Sequence, residues 1–187
     1  MEIERTEIEG VNVLKPEIFA DGRGFFFESY NKEKMEDLGI FLDLCQDNHS
    51  MSTEVGTIRG LHYQINPMAM TKIIRVIRGE ILDVLVDIRR GSPQYGSWFS
   101  FTLSSENKKQ LIVPRGFAHG FCTLAPNTEV LYKVDKHYSP EHDRGIKWND
   151  PEIGIEWPTD DAILSEKDLS NPLMAEAENN FVFGDGC

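Results

Sequence analysis

Short β-rich runs, each closed by a cluster of Gly, Pro, Asn or Asp, recur along most of this chain. That spacing favours a sandwich or barrel over alternating β-α units. Leu82, Val84, Val86 and Ile88 fall on one face of an extended segment, as do Phe99, Phe101 and Leu103 beyond the Gly-Ser-Pro turn at Gly91. The pattern predicts two paired core strands. The best helical segment runs from Asn31 to Leu38, with Asn31 as cap, Glu33 and Glu36 early, and Gly39 as a stop. It is short and expected to be peripheral. From Tyr138 onward, turns at Ser139-Pro140, Asp150-Pro151 and Trp157-Pro158 prevent long regular elements. A covering tail is expected there, and residues after Pro172, with few packing signals, are expected to fray.

With 187 residues, 40% of them hydrophobic, the chain suits one domain over 1–187 with a full core. A formal net charge of −12 argues against a general binder of nucleic-acid backbones, although local basic residues can still hold a small anion. No apolar run is long enough to span a bilayer, and Met1 to Arg5 lacks the basic start and apolar core of a signal peptide. The expectation is a cytoplasmic protein with no membrane partner. Cys45, Cys122 and Cys187 are odd in number and show no C-x-x-C spacing, so reduced thiols are expected.

Two segments carry candidate chemistry. Arg59-Gly60-Leu61-His62-Tyr63-Gln64 places a proton-transfer base near an anion anchor, and Pro114-Arg115-Gly116-Phe117-Ala118-His119-Gly120-Phe121 adds a second histidine behind a Pro-X-Gly turn. Arg59 and His62 pose a parity problem, because in a regular strand they face opposite sides. A local irregularity at Gly60 is therefore expected. On the following alternating strand, Val130, Tyr132 and Val134 share a face, which points the phenol inward. Lys72 shares a face with Ile74 and Val76, an unusual place for an ammonium unless it meets an anion.

An ordered series of motifs then appears: Phe25-Phe26-Phe27-Glu28 after Arg23-Gly24, Gln46-Asp47-Asn48, Arg59 to Gln64, Asp83 to Arg89, Gly116 to Phe121, and Gly145 to Pro151. In this series the chain resembles the dTDP-4-dehydrorhamnose 3,5-epimerase family, over its length up to Pro172. The resemblance implies an all-β fold, a cupin-type jelly roll with a few short helices at its edge. It also implies a homodimer that exchanges N-terminal strands, a dTDP-linked 4-keto-6-deoxysugar as substrate, no cofactor and no metal, and a role in making activated L-rhamnose.

The chemistry explains the residue types. A ketone at C4 acidifies the C–H bonds at C3 and C5, so a base can form an enolate that is reprotonated from the opposite face. A base, an acid and a group for the oxyanion are needed. His62 is the candidate base, Tyr132 the acid and Lys72 the partner of the enolate oxygen. Asp168, in Ser165-Glu166-Lys167-Asp168, resembles the carboxylate that orients the histidine. Arg59 and Arg23 are candidate diphosphate ligands. Glu28, Gln46 and Asn48, with Asp47 between the last two, resemble contacts to the base and sugar. Tyr138 resembles the ring that stacks on thymine, and Phe26 is assigned to the same pocket. Lys167 joins the substrate contacts, as does Asp143, which stands where glutamate is typical and reaches one methylene less. Before Lys72 the chain reads Met70-Thr71, where Gln and a small residue are more usual.

His119 has two functional readings. Metal-binding cupins also place a histidine after Pro-X-Gly, but they pair it with a His-X-His and a later Glu. Here Gln64 takes the position two after His62, which favours His119 as a substrate or diphosphate contact. An enzyme inverting a single carbon, and a non-catalytic sugar-nucleotide binder on the same scaffold, are the remaining alternatives.

Overall fold

The computed structural model describes residues 1–184; Cys187, expected as a reduced thiol, lies outside them. The chain runs β1 (Glu2–Arg5), β2 (Asn12–Lys15), β3 (Phe19–Asp21), β4 (Gly24–Phe26), α1 (Lys32–Asp37), β5 (Gln46–Ser52), β6 (Ile58–Gln64), β7 (Lys72–Arg78), β8 (Glu80–Asp87), β9 (Trp98–Ser104), β10 (Gln110–Val113), β11 (Phe117–Thr123), β12 (Thr128–Val134), β13 (Asp143–Gly145) and α2 (Glu166–Ser170). One sheet has the order β1-β2-β10-β7-β12-β5 and a second the order β13-β6-β11-β8-β9, while β3 and β4 form a separate hairpin. All of these strand pairs are antiparallel. This is the expected all-β sandwich of cupin type with short peripheral helices.

The sheets pack face to face over a core that includes Ile74, Val76 and Val130 from the first and Ile81, Leu85 and Phe121 from the second. β8 and β9 pair as expected, but their faces divide differently. Ile81, Asp83 and Leu85 stand opposite Leu103, Phe101 and Phe99, so the phenylalanines face the inter-sheet core. Leu82, Val84, Val86 and Ile88 turn the other way, into a second cluster with Ile146, Ile153 and Phe181. Leu82, Val84 and Val86 make one face of β8 the more apolar, whereas Ile81 and Leu85 on the other alternate with Asp83 and Asp87, so alternation alone favoured the face that the tail covers and not the one that meets the partner sheet.

The segment that builds this second cluster is the C-terminal tail. Its described residues, up to 184, lie against the sheet. Phe181 is 1% exposed, and its ring meets Tyr63 edge-on at 6.3 Å. The Arg90 amide donates to the Phe181 carbonyl and the Phe183 amide to the Arg90 carbonyl, each at 3.0 Å. The Arg89 guanidinium, paired with buried Asp87 at 2.7 Å, lies between the rings of Phe117 and Phe183 at 4.5 and 5.0 Å. Full burial of one such aromatic contributes about 1.5–3 kcal/mol, enough to hold a segment whose own sequence lacks periodicity.

α1 forms where expected. Asn31 Oδ1 accepts from the Lys34 amide at 3.2 Å, and Gly39 ends the turn at φ +80°. The helix buries Met35 against Leu14, Ile73 and Ile112 on the outer face of the first sheet. α1 thus covers part of the outer face of the first sheet, as the tail covers the outer face of the second.

Candidate active site

A bulge in β6 sets the geometry of the site. Opposite β11 the register runs from His62↔His119 to Arg59↔Phe121, three steps on one strand against two on the other. The extra residue cancels one alternation and turns Arg59 and His62 to the same side, as the parity argument required. Gly60 makes this possible: it adopts φ +133°, and a Cβ there would lie 2.5 Å from Gly120 Cα and 2.8 Å from the His119 carbonyl.

His62 and Arg59 then face a cleft of two adjoining lobes, about 200 and 320 Å³, that share His62, Lys72, Tyr132 and Lys167. The first lobe adds Gln46, Asn48, Tyr138 and Asp143. The second adds Arg59, His119, Phe121 and Asp168. His62 comes from one sheet, and Tyr132 and Lys72 come from the other, so base and acid candidates occupy opposite walls.

His62 Nε2 lies 2.6 Å from Asp168 Oδ1. The contact is bent, and neither atom makes a straight hydrogen bond. Asp168 is 3% exposed and reaches the ring because Ser165 caps the short α2: Ser165 Oγ donates to Asp168 Oδ2 at 2.7 Å and accepts from its amide at 3.2 Å. Burial pushes the Asp168 carboxyl up, but His62, Ser165 and the Gly60 amide outweigh it and hold the group below its ordinary value. Asp168 therefore stays ionised beside the ring.

Lys72 Nζ lies 3.4 Å from the His62 carbonyl. Burial lowers its ammonium to about 8, against the opposing pull of Asp83 and Asp143. At neutral pH it is still mostly cationic, in an environment too dry for that charge to be idle. Burial also raises the Tyr132 phenol, which keeps it protonated and able to donate. Val130 and Val134, its neighbours on that face, are 1% and 0% exposed, so the phenol does point inward. Arg59 is braced by the Ser52 hydroxyl and the Met51 carbonyl, both at 3.0 Å. Tyr138 is 55% exposed, and its hydroxyl donates to Asp143 Oδ2 at 3.2 Å. The same carboxylate pairs with Lys167; burial lowers the Lys167 ammonium, and Asp143 more than restores it.

Four expected site residues are not in this cleft. Asp47 points outward from β5 and pairs with Lys133 at 2.9 Å, because strand alternation sends it away from Gln46 and Asn48. Arg23 sits on the β3-β4 hairpin with its side chain 91% exposed and paired to Asp21 at 2.6 Å. Phe26, on the same hairpin, is 67% exposed. Glu28 is bound to Lys34 at 2.5 Å. Within one chain the hairpin stands apart from His62, for its strands pair only with each other.

Three residues that matter to the site were missed. Ser165 stands in a Ser-X-X-Asp pattern before a short helix, which is a capping signal. Gln64 is 4% exposed; its amide donates to the Met68 and His137 carbonyls and accepts from the Ser139 amide, tying two loops to the cleft floor. Asp83 is 0% exposed and contacts His119 Nε2 at 3.0 Å. A carboxylate alternating with Ile81 and Leu85 was the available signal. His62 and His119 are thus each taken by a carboxylate, and among the described residues no three His, Cys, Asp or Glu side chains converge in a group that could hold a metal ion.

Comparison with known proteins agrees with this geometry. The sequence model described as dTDP-4-dehydrorhamnose 3,5-epimerase matches residues 5–176. The Pseudomonas aeruginosa dTDP-4-dehydrorhamnose 3,5-epimerase is 49% identical over 180 residues, covering 95% of this chain and 98% of that protein. The crystal structure of the Bacillus anthracis enzyme of that name, with TDP and PPi bound, superposes with a TM-score of 0.90 at 52% identity and covers 92% of this chain and 98% of that one. A Legionella pneumophila dTDP-6-deoxy-D-glucose-3,5-epimerase, solved in complex with dTDP-4-keto-L-rhamnose, gives 0.89 at 41% identity, covering 94% and 93%. With strand order, cleft and sequence in accord over nearly its whole length, the chain belongs to the dTDP-4-dehydrorhamnose 3,5-epimerase family of isomerases.

Proposed function

We propose that the protein inverts C3 and C5 of dTDP-4-dehydro-6-deoxy-D-glucose, giving dTDP-4-dehydro-L-rhamnose, with His62 as base and Tyr132 as acid. The observation that carries this reading is the pair of opposed walls: His62 with Asp168 on one, Tyr132 and Lys72 on the other. His62 takes the proton α to the ketone, and Asp168 stabilises the imidazolium that results. The C4 oxygen becomes an enolate beside Lys72, whose charge strengthens in a water-poor cleft. Tyr132 returns a proton from the opposite face, which inverts the carbon. Arg59 contacts the diphosphate, Tyr138 stacks on thymine, and Gln46, Asn48, Asp143 and Lys167 hold the rest of the nucleotide and sugar.

An NMR time course of the purified protein with this substrate in deuterated water tests the assignment, following C3 and C5 separately. Deuterium is expected at both carbons. Uptake at one carbon alone would replace the double inversion with a single one.

The β3-β4 hairpin belongs in the same reading. Phe19, Phe25 and Phe26 are 57%, 60% and 67% exposed, an apolar surface that favours burial against another chain. A homodimer exchanging N-terminal strands would cover it and would carry Arg23, Phe26 and Glu28 to the partner's cleft. Light scattering is expected to show a dimer, and a stable, fully active monomer would overturn this arrangement. The free thiols of Cys45 and Cys122 suit a reducing compartment, which supports placing this single cupin-like domain in the cytoplasm.

A further inference from the structure

On the face of β8 that meets the partner sheet, Asp87 is paired with Arg89, and Asp83 is the second buried carboxylate. Asp83 is 0% exposed, and both of its oxygens lie within reach of His119 Nε2, at 3.0 and 3.1 Å. No step of the proposed reaction uses it. A buried carboxylate is costly unless it is paired, and its partner here is a ring that lines the second lobe of the cleft. His119 is also the register partner of His62, so two imidazole–carboxylate pairs stand side by side on neighbouring strands. They differ in access: the His62 side chain is 30% exposed and that of His119 is 9% exposed.

We propose that Asp83 is a positioning residue that fixes His119 as a neutral ring with its proton on Nε2, leaving Nδ1 to accept a hydrogen bond from a hydroxyl of the sugar. The assignment rests on the epimerase reading for its ligand and narrows the role of His119 within it. A carboxylate can only accept, so the nitrogen facing it carries the proton. In a neutral ring the other nitrogen then carries a lone pair. Burial pulls the His119 imidazolium down against the opposing effect of Asp83, and Lys72 and His62 act in the same direction as burial. A lone pair facing the cleft repels diphosphate oxygens, which only accept, whereas a sugar hydroxyl donates to it. The lobe already holds Arg59 for the diphosphate and Lys72 for the enolate oxygen, and His119 adds an acceptor for a sugar hydroxyl.

The test combines a spectrum with one kinetic constant and one affinity. Long-range proton–nitrogen NMR of the histidine-labelled wild-type protein is expected to show His119 as the Nε2–H tautomer between about pH 6 and 8, the range in which an ordinary imidazole changes charge. Asp83→Asn is expected to mix the tautomers and to lower kcat/KM for the keto sugar by at least about tenfold, while dTDP affinity stays within about threefold. An imidazolium or an Nδ1–H tautomer in the wild type would overturn the assignment. So would an Asp83→Asn protein with unchanged kinetics, or one that loses dTDP affinity in proportion to kcat/KM. Should Asp83→Asn fail to fold, the wild-type spectrum, with kcat/KM and dTDP affinity for His119→Gln, decides the matter. A wild-type protein that exchanges neither carbon would sink the epimerase reading instead, and the spectrum would still test Asp83.

Discussion

His62→Asn abolishes deuterium uptake at both C3 and C5, with turnover lowered by roughly a hundredfold to ten-thousandfold, the range set by loss of one proton-transfer group. Asparagine is the informative replacement because its amide can still donate to Asp168, which is 3% exposed and costly to leave unpaired. Affinity for dTDP is expected to stay within about threefold, since the lost interaction belongs to the reacting carbon and not to the nucleotide. Isothermal titration and the deuterium time course measure the two quantities separately. Tyr132→Phe, in the same assay, is expected to keep proton removal and lose inversion, because the base on the opposite wall remains. Wild-type exchange in His62→Asn would remove His62 from its role, and equal loss of exchange and inversion in Tyr132→Phe would end the division between the two walls.

Gly60→Ala is expected to destabilise the protein by about 3 kcal/mol or more, through overpacking combined with a left-handed backbone. The added methyl would meet Gly120 Cα at 2.5 Å and the His119 carbonyl at 2.8 Å at φ +133°, and both contacts are to backbone that cannot rotate away. Relief requires the β6–β11 ladder to part or the bulge to move. Either change turns Arg59 or His62 from the cleft, so activity should fall more than the stability loss alone explains. Urea unfolding midpoints and turnover in folded conditions separate the two effects. Gly22→Ala is the control for stability, because a Cβ there meets nothing within 4 Å in its own chain, and it is expected to leave the midpoint nearly unchanged. A Gly60→Ala protein with the wild-type midpoint would show that the bulge does not need glycine.

Local signals made the fold class legible. Strand runs with turn clusters predicted a sandwich, and the cap and stop around α1 are short-range hydrogen bonds that depend on little beyond Asn31 and Gly39. Parity placed Tyr132 inward and required the irregularity at Gly60. It failed at β8, where the partner sheet meets the face that carries Asp83 and Asp87, and where the covering layer is a distant tail without periodicity. The resemblance, together with strand parity, named His62, Asp168, Tyr132 and Lys72 on the cleft's opposed walls, but it treated Gln46-Asp47-Asn48 as one contact group. The pleat divides that group, sending Asp47 to Lys133.

The sequence by itself determined which chemical groups are available and which residues alternate together along a strand, because alternation and capping act over a few neighbouring residues. The tertiary structure alone decided which distant groups meet. Asp168 reaches His62, Asp83 reaches His119, and Phe181 closes over Tyr63. Each of these pairs joins residues tens of positions apart, held together by burial of the elements around them. Burial also sets the charge states that the chemistry needs, lowering Lys72 to about 8 and keeping Tyr132 protonated, because removing water changes the free energy of a charge in a way that no local sequence pattern encodes.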